Sequence, residues 1–208
     1  MQQYKLTMWL VRRLIRDARE LQSRAAKQVT RREASVTASP GNLRMPPGRP
    51  PESSPQTFVL ESFFIRELIT ILTPGANEEM KFLTGPKIGL IRIVCRWGAP
   101  ARLDSQSPVF VRASARSVAD VLIPIIEQGA ELHVIAHSHP GAGAWATTPS
   151  GTDVECLSRL QMNGSPAIGL IVTRDGYVRF FSIQTKFHVL VLGSGVKEVS
   201  NNVFYIAH

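Results

Sequence analysis

The sequence contains few cysteines, and none of them lies in a motif. Cys95 and Cys156 are the two cysteines among 208 residues, which excludes a disulfide scaffold and any C-x-x-C pair. No apolar run approaches the ~20 residues that span a bilayer, and the short apolar stretch from Met8 to Val11 makes a poor signal peptide. These absences predict a protein of a reducing, cytoplasmic compartment without a transmembrane segment.

Acidic residues are scarce in the first quarter of the chain. Residues 1–50 hold eleven Lys and Arg against three Asp and Glu, whereas residues 51–208 hold thirteen of each. The net charge of +8 and the pI near 10.1 therefore describe the first quarter only. This distribution argues against a nucleic-acid-binding face across the whole protein. A hydrophobic content of 44% and a mean hydropathy of +0.01 are typical of a globular chain.

The composition divides the chain into three segments. Residues 1–37 are predicted to form a basic amphipathic helical extension, because apolar residues recur at helical spacing among arginines, at Leu6, Leu10, Leu14, Ala18, Leu21 and Ala25. Residues 38–56 are rich in Pro and Gly and are predicted to form a linker. Residues 57–208 form the compact domain. The extension could bind anionic lipid, nucleic acid or an acidic partner, or be a solvated or self-associating helix.

Periodicity in the compact domain predicts a mixed α/β fold. Helices are expected at 61–72, 117–128 and 153–162, and strands at 80–84, 88–97, 109–111, 132–136, 168–173, 177–182, 187–192 and 199–206. Asp175-Gly176 predicts a hairpin closed by a tight primed turn. No glycine-rich phosphate loop accompanies this alternation of helices and strands.

Two histidines and an aspartate form the pattern that carries chemistry. His137 and His139 lie two positions apart on a predicted strand, which places them on one face about 6.6 Å apart at ~3.3 Å per residue. Asp153 begins the next helix and can supply an oxygen ligand. Two His and one carboxylate with an open position are typical of a catalytic zinc site.

Simpler interpretations exist for each part of this pattern. A lone His-x-His pair is common on ordinary strands, and Ser150-x-x-Asp153 also matches a helix-capping pattern. His133, four residues from His137, is expected to be a core or surface histidine. The parts become more specific together, after an apolar strand and before a helix.

The run His137-Ser138-His139-Pro140 followed by Ser150-x-x-Asp153 resembles the signature of the JAB/MPN (JAMM) zinc metallopeptidases. The thirteen-residue loop between the ligands, from Pro140 to Thr152, is longer than is usual in that family. The resemblance covers about residue 58 to the C-terminus. It implies a curved mixed β-sheet flanked by helices, of the cytidine-deaminase-like kind. The basic helical extension predicted from the composition would precede this sheet. It also implies one zinc ion per chain, held by His137, His139 and Asp153.

The same resemblance implies the remaining catalytic groups. An upstream glutamate activates water in that family, and counting back from Gly85 selects Glu78, with Glu79 as the alternative register. Ser150 would stabilise the oxyanion with zinc, and Trp145 would pack over the substrate tail or anchor the loop.

The implied activity is hydrolysis after the C-terminal glycine of a ubiquitin-like protein, in processing or deconjugation. The partners would be that protein, its conjugates and the conjugating enzymes, as in a bacterial antiviral operon, with no nucleic acid required. Alternatives are a peptidase that processes sulfur-carrier proteins, a catalytically silent scaffold of the same fold, and a cysteine hydrolase that uses Cys156.

Overall fold

The computed structural model describes residues 54–98, 103–108 and 110–207. The predicted basic extension at 1–37 and most of the linker at 38–56 lie outside these residues. The helices are α1 (Ser62–Leu72), α2 (Ala115–Glu127), α3 (Gly143–Ala146) and α4 (Gly151–Met162). The strands are β1 (Gln56–Glu61), β2 (Met80–Gly85), β3 (Lys87–Ile88), β4 (Ile91–Ile93), β5 (Arg96–Trp97), β6 (Leu103–Ser107), β7 (Phe110–Ala113), β8 (Glu131–Ser138), β9 (Ile168–Val172), β10 (Tyr177–Phe181), β11 (Phe187–Leu192), β12 (Val196–Ser200) and β13 (Val203–Ile206).

Three sheets organise these strands. The largest has seven strands in the order β12-β13-β10-β9-β8-β2-β5, and it is mixed because β8 and β9 run parallel while β2 and β8 run antiparallel. A four-stranded sheet has the order β11-β1-β4-β3, and β6 and β7 form a two-stranded ribbon. The predicted α/β class with a mixed sheet is confirmed. Within the described residues, no helix is long and apolar enough to cross a membrane.

Strand β8 is buried on both faces because a separate hydrophobic cluster packs against each face of the large sheet at this strand. Val134 and Ala136 pack on one side, in the core cluster that includes helix α1. Ile135 points to the other side, where it packs in a second cluster with Leu157 of α4. His137 shares the parity of Ile135, so the alternation of side chains directs it toward helix α4.

Two predicted strands each divide at a turn. The run 88–97 becomes β3, β4 and β5, because Gly89 with a φ of 59° turns the chain between β3 and β4. The run 199–206 divides between β12 and β13, where Asn202 has a φ of 58°. Asparagine tolerates this left-handed conformation better than most residues do. Strands β1 and β6 and the short helix α3 were not predicted.

The predicted hairpin at 174–176 is confirmed, since β9 and β10 pair antiparallel. The primed turn is wrong. Gly176 has a φ of 92°, whereas Asn202 is the one non-glycine residue with positive φ among those described. Gly176 N donates to Thr173 O at 3.1 Å, and Thr173 N donates to Tyr177 O at 2.9 Å. This pattern is a type I turn followed by a glycine bulge.

Candidate metal centre

The end of strand β8 brings two imidazoles together. His137 is the second-to-last residue of strand β8, and His139 directly follows the strand. The backbone N–H of His139 donates to Val172 O at 2.9 Å. This bond continues the pairing with β9 beyond Ser138 and keeps the two histidines on one face. The His137 Nε2 and His139 Nε2 atoms are 3.1 Å apart.

Asp153 reaches this pair from the first turn of helix α4. Ser150 is the N-cap, and it forms a reciprocal capping box with Asp153. Ser150 N donates to Asp153 Oδ2 at 2.7 Å, and Asp153 N donates to Ser150 Oγ at 3.3 Å. The same carboxylate lies beside both histidines, with Oδ1 3.2 Å from His137 Nε2 and Oδ2 3.5 Å from His139 Nε2. The Asp153 carboxylate therefore takes part in the helix cap and also lies beside the two histidines.

These three side chains fit a metal ion. Their ligand atoms all lie within 4.8 Å of one another. A tetrahedral ion with bonds of ~2.0–2.1 Å separates its ligands by about 3.3 Å. The separations of 3.1, 3.2 and 3.5 Å between the Nε2 and Oδ atoms bracket that value. Two nitrogens and a carboxylate oxygen suit a first-row divalent cation.

A backbone carbonyl orients His139. Its Nδ1 lies 2.8 Å from Ala146 O, at the end of helix α3. A carbonyl only accepts hydrogen bonds, so this contact assigns a proton to Nδ1, and Nε2 presents its lone pair toward His137 and Asp153 when the ring is neutral. Such a partner behind a ligating imidazole fixes the ring and its tautomer.

The local charges keep the aspartate ionised. Burial alone would raise the pKa of Asp153, but the hydrogen bonds to His137 and His139 outweigh burial and lower it well below its usual range. Burial lowers the pKa of His139, yet the bonds to Asp153 and the Ala146 carbonyl raise it above its ordinary value. A cation would replace the proton shared between these groups.

Glu78 is the glutamate that the fold places at this centre. Glu78 is buried, with 7% of the residue exposed, and its Oε1 lies 3.9 Å from His139 Nε2. Burial raises the pKa of Glu78, the neighbouring imidazoles of His137 and His139 oppose that rise, and the Asp153 carboxylate adds to it. Glu79 is directed elsewhere, because its Oε1 accepts a hydrogen bond from Gln106 Nε2 at 2.7 Å.

The backbone around Glu78 is fixed on both sides. Glu78 N donates to Ser107 O at 3.0 Å, and Gln106 Nε2 donates to Glu78 O at 2.8 Å. The ribbon β6–β7 therefore holds the glutamate against the centre. Strand β6 was not predicted, so this support had no counterpart in the sequence interpretation.

The other predicted residues lie around the centre. Trp145 on α3 is 78% exposed. Cys156 is an exposed residue on α4, where burial of its sulfur raises the thiol pKa. His133 is fully buried and lies outside the centre, with its Nε2 2.8 Å from Gly85 O.

A cavity of ≈ 700 Å³ opens beside the candidate metal ligands. His137 and Asp153 line it together with the charged side chains of Glu155 and Arg159, and strand β7 contributes Val111 and Ala113. The remaining wall is mostly apolar and includes Met80, Phe82, Ile135, Leu157 and Phe181. These residues come from four distant elements, so no local sequence pattern predicted the cavity.

Two groups that support the site were not predicted from the sequence. The Ala146 carbonyl is a backbone group and leaves no sequence signal. Asp175 accepts a hydrogen bond from Gly143 N at 2.7 Å, but the Asp-Gly pair indicated only a turn.

No protein-family model and no curated protein matches the chain. Among solved structures it is similar to protein DSY2949 from Desulfitobacterium hafniense, whose solution structure was determined by a structural genomics consortium. The identity is 18% and the TM-score is 0.46, over 66% of this chain and 95% of that chain. The interpretation of the centre therefore depends on its own geometry.

Proposed function

We propose that this protein is a zinc metallopeptidase of the JAB/MPN type that cleaves the peptide or isopeptide bond after the C-terminal glycine of a ubiquitin-like protein. The observation that carries the proposal is the convergence of His137, His139 and Asp153 with a buried glutamate, Glu78, 3.9 Å from His139 Nε2. A closed structural site would use a fourth protein ligand, which the cluster lacks among the described residues.

A zinc ion held by these three side chains would polarise the scissile carbonyl and lower the pKa of water toward ~7. Glu78 then takes the proton of the attacking water and returns it to the leaving amine. Burial raises the pKa of this carboxyl, which suits a group that must both accept and donate near neutral pH. Ser150 Oγ accepts a bond from Asp153 N, so its own hydroxyl hydrogen remains to stabilise the oxyanion.

The cavity supports an extended peptide substrate. Strand β7 pairs only with β6 among the described strands, and its residues Val111 and Ala113 line the cavity. An extended tail could add to the ribbon as a further strand and bring its final glycine to the metal ligands. Trp145, exposed on α3, would cover that tail.

The substrate class rests on the resemblance of the two motifs to the JAB/MPN family. We propose a cytoplasmic role in a bacterial ubiquitin-like conjugation pathway, with conjugates and conjugating enzymes as partners. A sulfur-carrier protein is the alternative substrate, because it would present a similar tail to the same centre. Assays with both kinds of tailed protein separate the two.

The test combines metal analysis with a matched pair of variants. We expect one zinc per chain, loss of cleavage on chelation, and cleavage of a ubiquitin-like fusion after its terminal glycine. Glu78→Gln should keep zinc and lose about 10²–10⁴-fold in rate. Glu79→Gln should retain activity, because that carboxylate faces Gln106.

Three outcomes would contradict the proposal. Absence of stoichiometric metal would favour a silent scaffold. Full activity of Glu78→Gln would refute its role as the base. Inhibition by a thiol reagent that Cys156→Ser abolishes, without inhibition by a chelator, would favour a cysteine hydrolase.

A further inference from the structure

The strand pair β9–β10 holds the short helix that orients His139. Helix α3 begins at Gly143 and ends at Ala146, whose carbonyl oxygen lies 2.8 Å from His139 Nδ1. Asp175, in the turn between β9 and β10, accepts a hydrogen bond from Gly143 N through Oδ2 at 2.7 Å. Asp175 therefore anchors the end of α3 opposite to the carbonyl that contacts the histidine.

Strand β10 makes a second contact with the same helix. Arg179 Nε donates to Thr147 Oγ1 at 3.1 Å, and Thr147 Oγ1 donates to Ala144 O at 2.6 Å. A helix of four residues is too short to be stable in isolation. Its position, and with it the position of the Ala146 carbonyl, depends on these contacts from outside.

Asp175 is itself held rigidly. Its Oδ1 accepts a hydrogen bond from Thr173 Oγ1 at 2.5 Å, and the glycine bulge at Gly176 fixes the turn. An alanine at position 176 would bring its Cβ within 2.5 Å of Ile206 O. Both oxygens of the Asp175 carboxylate thus have fixed donors, and neither is directed to the metal ligands.

We propose that Asp175 is a positioning residue of the metal centre. By fixing α3, it holds the Ala146 carbonyl against His139 Nδ1 and keeps the Nε2 lone pair directed at His137 and Asp153. The inference rests on the metal-binding part of the proposed function. It requires no contact between Asp175 and metal or substrate.

Zinc affinity is the first test, measured by competition with a chromophoric chelator. Asp175→Ala should bind zinc about 10–100-fold more weakly, the usual effect of losing support behind a metal ligand. Asp175→Asn should restore most of the affinity, because its amide oxygen can accept from Gly143 N. Arg174→Gln is the matched control from the same turn, since Arg174 Nη2 donates to Thr73 O and Gly75 O instead.

The second test measures the tautomer of His139 in the protein without metal. Imidazole nitrogen shifts in the apo-protein, recorded well above the ordinary pKa of ~6.5, should show Nδ1–H in the wild type and a mixture in Asp175→Ala. Should that variant fail to fold, Asp175→Ser replaces it, because serine favours turns and is too short to reach Gly143 N.

The outcomes separate this inference from the proposed function. A wild type that binds no zinc refutes the metal function, and the tautomer comparison still decides the role of Asp175. Equal zinc affinity in the wild type and Asp175→Ala, or an unchanged tautomer ratio, overturns the inference.

Discussion

Acidification should destabilise this protein through His133, which lies in the core away from the metal centre. His133 is fully buried, and its Nε2 donates to Gly85 O at 2.8 Å. Among the described residues, no hydrogen-bond partner contacts its Nδ1. Burial lowers the pKa of His133 from 6.5 to about 4, and the nearby charge of Arg92 acts in the same direction although Glu131 opposes it.

The sign and size of the effect follow from that shift. The unfolded chain binds a proton at His133 below pH ~6.5, whereas the folded protein resists it until pH ~4, so stability falls as the pH falls through this window. A difference of about 2.5 pKa units corresponds to roughly 3 kcal/mol, at ~1.4 kcal/mol per unit. Above pH ~6.5 His133 is neutral in both the folded and the unfolded state, so none of this stability has been lost.

Denaturant unfolding at a series of pH values measures this contribution. His133→Gln removes the titrating ring and keeps a donor for Gly85 O. The free energy of unfolding of this variant should therefore fall by about 3 kcal/mol less than that of the wild type between pH ~6.5 and ~4. Both proteins carry the same acidic residues and are measured with the same chelator, so other titrations cancel. Parallel stability curves for the two proteins would refute the reasoning.

Three further predictions concern particular side chains. Ser150→Ala should lower the free energy of unfolding by about 0.5–2 kcal/mol and weaken zinc binding, because the cap also orients Asp153. Ser150→Asn should retain the stability and the zinc affinity. An unchanged zinc affinity in the alanine variant would contradict the link between the cap and the metal site. Gly85→Ala should destabilise the folded protein by more than about 3 kcal/mol, because the added Cβ would lie 1.8 Å from Ile93 O. The control is Gly75→Ala, whose added Cβ meets nothing within 4 Å. Thermal unfolding compares the two variants, and equal melting temperatures would contradict the clash. Cys156→Ser should retain metal binding and cleavage, and a loss of either would give the thiol a role.

The proximity of the three candidate metal ligands was predictable because the placement of each depends on a local rule. Strand periodicity places His137 and His139 on one face, and a helix start after Ser150 places Asp153 in the first turn. The alternative interpretation of Ser150-x-x-Asp153 as a capping box is also present in the structure. The sequence could not indicate that one carboxylate performs both functions, since that depends on how α4 packs against β8.

Local sequence rules could not decide whether Glu78 or Glu79 faces the candidate metal centre. Both precede strand β2, which begins at Met80, so strand alternation does not assign their faces. The contacts that separate them come from Gln106, in the unpredicted strand β6. Helix α3 was missed for a similar reason, because four residues carry too little periodicity to indicate a helix.

The capping box at Asp153 has a consequence for the rate at which a cation is captured. One oxygen of this carboxylate accepts a hydrogen bond from Ser150 N as part of the helix cap. The rotamer entropy of the side chain is therefore lost when helix α4 forms, and not when the cation arrives. An ion that reaches His137 and His139 meets an oxygen already in place, so capture needs little rearrangement at the helix end.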